Sequence, residues 1–212
     1  MTDVVVTAGR PALARWRWTV TAAFGLGGIA ISAWGPRLPA IKASLGIDTA
    51  TIGLLLAGVT VGAILGLLAS TPVQHWLGRR SVAGALLLIA AAMTVMGLAL
   101  VLGSVPLVAV AFVVIGLGLG ALDVLINVEG SAVERAAGRT LMPMMHAAWS
   151  IGVAVGSGIG AACAALGVSP SAQFIAEALA IAVTALGTAA GIPGGRRAPA
   201  EEPHQDRGAK LR

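Results

Sequence analysis

Residues 81–122 carry no charged side chain, and the first charge that follows is an acid, Asp123. A stretch that long and that apolar has no stable place in water. Roughly 20 such residues already suffice for one helix to cross a bilayer. The stretch therefore holds two crossings, hinged at Gly103-Ser104-Val105-Pro106, where Gly and Pro punctuate it. Composition agrees, with 57% of the 212 residues hydrophobic and 11% charged, against about 25% charged in soluble domains. The expected class is an all-α membrane protein.

Six crossings are expected in all. The first covers residues 16–34, with Trp16 and Trp18 as interfacial anchors and no cleavage site that would make it a removable leader. Residues 35–48 read as a loop with one amphipathic turn. A second crossing covers 49–73 and ends at the turn Gln74-His75-Trp76-Leu77-Gly78-Arg79-Arg80. The fourth covers 106–128 and is followed by a charged hairpin carrying Glu129, Glu134, Arg135 and Arg139. The fifth, 142–166, is broken by Gly167-Val168-Ser169-Pro170, and the sixth covers 171–190. The chain thus divides into a short N-terminal segment (1–15), a six-span domain (16–190) and a tail (191–212). The tail is rich in Pro, Gly and charge, a composition that disfavours folding.

Orientation follows from the basic residues. With the N-terminus inside, twelve of the 14 Lys and Arg fall in cytoplasmic segments, and only Arg37 and Lys42 lie outside. That asymmetry obeys the positive-inside rule and puts both termini in the cytoplasm. The pI near 11.0 does not point to nucleic acid, because the basic residues are scattered among short loops with no aromatic-rich basic face. The single Cys163 excludes an internal disulfide, and the histidines at 75, 146 and 204 lack metal-ligand spacing. No metal and no cofactor are expected. Phosphate-binding, zinc-hydrolase and serine-nucleophile motifs are missing, so the chain does not read as an enzyme.

Asp123 and Asn127 are four residues apart and share a helix face. Carboxylates are costly in lipid and tend to mark ion or substrate pathways. One reading makes Asp123 a cavity-facing proton carrier; the other leaves it hydrated near the inner end of its span. His146, expected at a similar depth on span five, can relay protons or sit in an interfacial belt with Trp149, which shares its face together with Ser150. Trp34 closes the first span. Arg37, between Pro36 and Pro39, is a gate or substrate charge or an ordinary loop arginine. Glu177 is expected to snorkel to water near the end of span six. Gly58, Gly62 and Gly66 on span two, and Gly152, Gly156 and Gly160 on span five, form stripes that let helices approach closely.

Three groups of residues resemble the N-terminal half of a major facilitator superfamily (MFS) transporter. The first is Arg37-Leu38-Pro39-Ala40-Ile41-Lys42 with Leu45-Gly46, similar to a first outer loop. The second is Leu77-Gly78-Arg79-Arg80, similar to the end of the signature loop between spans two and three. The third joins Gly116 to Gly120, Asp123, Asn127, Val133-Glu134-Arg135 and Pro143-Met144-Met145-His146, and resembles the fucose-permease-like branch and related bacterial inner-membrane proteins. The resemblance implies two three-helix inverted repeats and proton coupling through Asp123 and His146. It also implies a cavity reached by Asn127, Trp149, Trp34 and Arg37, and a small polar solute, such as a sugar, as cargo. There are departures: Thr71 and His75 stand at positions of the signature Gly and Asp, Phe112 near that of a span-four Arg, and Ser157 near that of a span-five Pro. Drug export is therefore not implied. The family usually has two six-span halves, with spans two and five facing the other half, so the resemblance implies a second copy or a separately encoded half as partner. The alternative is a membrane interaction subunit or transporter remnant that moves nothing.

Overall fold

The computed structural model describes residues 10–193; the expected disordered tail lies, from residue 194, outside the described residues. The described chain forms seven α-helices: α1 (Arg10–Ser32), α2 (Leu38–Leu45), α3 (Thr49–Leu77), α4 (Ser81–Val101), α5 (Val105–Ala137), α6 (Met142–Ala165) and α7 (Pro170–Gly191). One-turn 3-10 segments stand at Gly35–Arg37 and Gly78–Arg80. Helix starts follow local chemistry. The Asp48 carboxylate accepts the Thr51 N–H at 2.8 Å, and the Ser169 hydroxyl accepts the Ala172 N–H at 3.2 Å. Proline occupies the first turn of α5, α6 and α7, where a missing N–H costs nothing.

Several sequence expectations need correction. The 35–48 segment is a 3-10 turn followed by the eight-residue α2, which Gly46 ends in a left-handed conformation. The charged residues after 128 do not make a hairpin, because α5 runs unbroken through Glu129, Glu134 and Arg135 to Ala137. Gly138, at φ 62°, is what stops it. The polar N-terminal segment is also partly helical, since α1 begins at Arg10.

Among the described residues four stretches are long and apolar enough to cross a bilayer: Thr49–Val101, Val105–Ala137, Met142–Ala165 and Pro170–Gly191. The first of these runs through the Gly78–Arg80 turn and contains both α3 and α4. The longest α1 run is diluted by Arg15 and Arg17, and α1 is not among them.

The helices pair most extensively as α3 with α5, α1 with α6, and α4 with α7, and α4 also lies along α5. Exchanging the first three long helices for the last three, in order, maps the first pairing onto the second and the third onto itself. The core sits between α4 and α5, where Leu86, Ile89, Met93, Phe112, Leu122 and Leu125 are fully buried. By contrast, α3 and α6 leave broad apolar faces uncovered, with Leu54, Leu68, Ile151 and Val155 all exposed.

Glycine decides how close two of these pairs come. A Cβ on Gly62 or Gly66 would run into the carbonyl oxygens of Val113 or Leu117 on α5, and one on Gly116 or Gly120 would run into those of Val59 or Ala63 on α3. The α1–α6 pair is built the same way. There Gly152, Gly156 and Gly160 abut the carbonyls of Gly25, Ile29 and Ala33, and Gly28 abuts that of Trp149. Gly58 is less tightly held, since a Cβ there would stand 3.1 Å from the Val113 side chain, a close contact but not one with backbone. The stripes thus pack inside the chain, each matched by small residues on its own neighbour.

Candidate functional site

α5 presents Asp123 and Asn127 one turn apart. The Asn127 amide donates to the Asp123 backbone carbonyl at 2.8 Å and to its Oδ1 at 3.3 Å. Asp123 is exposed at the surface of the bundle and Asn127 is half-buried, so the pair is a surface feature of this chain and not part of its core. On α6, His146 is also exposed, with its ring centroid 5.2 Å from that of Phe24 on α1. Its Nδ1 lies 3.1 Å from the Met142 carbonyl. A carbonyl only accepts, so in this contact Nδ1 is the donor. The Ser150 hydroxyl donates to the His146 carbonyl at 3.2 Å.

Gly27 of α1 sets where α5 and α6 meet. The ring of Trp149 lies directly against it, and a Cβ there would also stand 3.2 Å from Leu122, the residue before Asp123. The sequence put Asp123 level with His146 by counting from the ends of their spans. In the structure α5 extends past residue 128, the end from which that count was made, and the Trp149 and Leu122 side chains both reach Gly27. Among the described residues no hydrogen bond or ion pair joins Asp123 to His146. Nor is any group of three His, Cys, Asp or Glu side chains placed to hold a metal.

Trp34 and Arg37 stand apart from this group. The Trp34 ring meets Phe112 edge-on, 5.6 Å between centroids, and its buried Nε1–H has no partner. Arg37 is 2% exposed and its Nη2–H donates to the Val168 carbonyl in the α6–α7 connection. It is therefore no ordinary loop arginine. Glu177 does not snorkel either, being 8% exposed and bonded to Gln173, whose amide donates to Glu177 Oε1 at 2.9 Å and to the Ala33 carbonyl at 3.2 Å. Sequence reading missed Gln173 altogether; its i, i+4 spacing to Glu177 was the available signal.

At the opposite end of the bundle, Glu129 is buried and accepts the Trp16 Nε1–H at 3.2 Å. Glu134 Oε2 accepts the N–H groups of Leu141 at 2.6 Å and Met142 at 2.8 Å, covering donors that the start of α6 leaves open. The sequence-predicted signature residues form the α3–α4 corner: Gly78, at φ 52°, ends α3, and Arg79 and Arg80 project into solvent.

Comparison with known proteins finds two relatives. The chain is 31% identical over 166 residues to an uncharacterized MFS-type transporter of Yersinia pestis, covering 77% of this chain and 42% of the relative. It is 30% identical over 149 residues to an uncharacterized transporter of Sinorhizobium fredii (strain NBRC 101917 / NGR234), covering 70% of this chain and 38% of the relative. The chain thus spans about two fifths of the length of the curated relatives it matches. No family model and no solved structure matches it. Apolar helices of crossing length and two transporter relatives identify a multi-pass, all-helical membrane protein.

Proposed function

We propose that this chain belongs to the major facilitator superfamily and forms the N-terminal six-span half of a secondary transporter in a bacterial inner membrane. The similarity to the two transporters supports that membership and a transport role in place of an enzymatic one. The pairing of α3 with α5 and of α1 with α6, interchangeable by a twofold exchange, supports two inverted three-helix repeats with α1 as the first crossing. Both termini face the cytoplasm in this reading.

The observation that carries the mechanism is the position of Asp123. A carboxylate on an apolar helix, exposed on one chain and held by Asn127, faces lipid unless something covers it. A second copy or a separately encoded half supplies that cover, and the space between halves holds the cargo. Asp123 carries the proton, and His146 exchanges it. Asn127 and Trp149 meet a small polar solute, such as a sugar, by amide hydrogen bonds and stacking. Alternating access rocks the two halves about this site.

The test is proton flux in proteoliposomes on addition of candidate solutes, with crosslinking in the same membranes. Solute-driven proton uptake that vanishes in Asp123→Asn supports the reading. Undiminished coupled uptake in that variant, or full activity from a strict monomer, sinks it.

A further inference from the structure

We infer that Gln173 and Glu177 form a second proton-binding site, separate from Asp123, at the end of the bundle where α1 finishes and α7 begins. The site is an acid–amide pair on α7 attended by Arg37. All three side chains are at least nine-tenths buried, at 3%, 8% and 2% exposure respectively.

The geometry of the pair is half complete. Gln173 and Glu177 lie one turn apart, and the amide Nε2 donates to carboxylate Oε1 at 2.9 Å. Its other N–H goes to the Ala33 carbonyl at 3.2 Å, so the amide's donors are both used. The two remaining oxygens, Gln173 Oε1 and Glu177 Oε2, are buried and have no hydrogen-bond partner. Both are acceptors while Glu177 is ionised, so neither can satisfy the other. One proton on Oε2 changes that. The hydroxyl then donates to Gln173 Oε1, closing the two-bond ring that a carboxylic acid and a primary amide form. The proton comes from water, and no other bond is made or broken.

The ionised state has its own support. Arg37 is the charged group that faces Glu177, and its Nη2–H is committed to Val168 while its Nε–H is buried without a partner. Of the helices packed on α7, α4 has no titratable residue. The arginines of α1, Arg10, Arg15 and Arg17, sit in its opening turns, and α6 brings Cys163 to this end and His146 to the other. Two states of one site, a carboxylate facing a guanidinium and a carboxyl ringed with an amide, are what exchangeable proton binding needs. The inference does not rest on transport or on Asp123.

The experiment is an infrared pH titration of the full chain in lipid, reading the protonated-carboxyl C=O band. A titrating band lost in Glu177→Gln and kept in Asp123→Asn is the expected result. Gln173→Leu is expected to move the band to higher wavenumber, because the ring hydrogen bond is gone. Arg37→Gln is expected to make the band persist to higher pH, because the ionised form loses its counter-charge. A band unchanged by Glu177→Gln, or one whose position ignores Gln173→Leu, overturns the site. Gln is nearly isosteric with Glu, and should Glu177→Gln fail to fold, the Gln173 and Arg37 variants decide the matter by the same readout.

Discussion

Asn127 turns its amide back one helical turn and holds Asp123 at two points, the backbone carbonyl at 2.8 Å and Oδ1 at 3.3 Å. The bond to the carbonyl anchors the amide, and the one to Oδ1 orients the carboxylate. Replacing Asn127 by Leu removes both without opening the core, since the pair sits at the bundle surface. The expected cost in stability is about 1 kcal/mol or less, the net worth of a typical hydrogen bond. The pH profile of proteoliposome uptake is expected to shift while membrane insertion stays normal.

Gly62→Ala is expected to be far worse than Gly53→Ala. A methyl at Gly62 collides with the Val113 carbonyl, which cannot yield without moving α5, whereas nothing lies within 4 Å of one at Gly53. Overpacking of this kind costs about 1–3 kcal/mol, while the exposed Gly53 site gains helix propensity of roughly 0.5–1 kcal/mol. Thermal unfolding of both variants in one detergent gives the comparison.

Neighbouring glycines on α1 are expected to separate function from folding. Gly27→Ala pushes on the Trp149 ring, and Gly28→Ala pushes on the backbone at Trp149 and Val153. The first should impair transport in a protein that still folds. The second should lower yield and melting temperature, as read by fluorescence-detected size exclusion.

Glu134→Ala is expected to loosen the start of α6. Its carboxylate is the acceptor for two N–H groups there, and Gln at the same place keeps an oxygen to serve them. Hydrogen exchange over residues 141–146 should rise in the Ala variant and stay close to wild type in the Gln variant.

The start of α3 is expected to respond to acid. The hydrogen bonds with Thr51, aided by Lys42, hold the Asp48 carboxyl below its usual range. A depressed folded value means that the stabilisation is complete above the unfolded value, near 4, and is lost as pH falls through the folded one. The protection of the Thr51 amide, its exchange measured against the intrinsic rate at each pH, should therefore fall only in acid, and Asp48→Asn, which keeps a capping oxygen, should flatten that response.

How much of this was legible beforehand varied with the kind of signal. Long apolar runs, and the caps at Asp48, Ser104 and Ser169, are local chemistry, and five of the helices start within a residue or so of where the sequence placed them. The end of α5 was misjudged because charge was taken as a stop signal, when the glycine at 138 was the real one. Asp123 with Asn127 could be paired by spacing alone. The burial of Arg37 and Glu177 could not, because it depends on α1 and α7 meeting across more than a hundred residues. A polar residue near a helix end reads as solvated until the neighbour that covers it is known.

The glycine seams carry a mechanical consequence. Where one backbone lies directly on another, there is no cushion of side chains to deform, and α3 on α5 or α1 on α6 can slip only by whole four-residue repeats of about 6 Å, carrying each glycine to the next carbonyl. Intermediate positions are closed to them. Each pair therefore behaves as a single rod, and any flexing within the bundle must be taken up where α4 and α7 meet those rods through ordinary, more forgiving side-chain contacts.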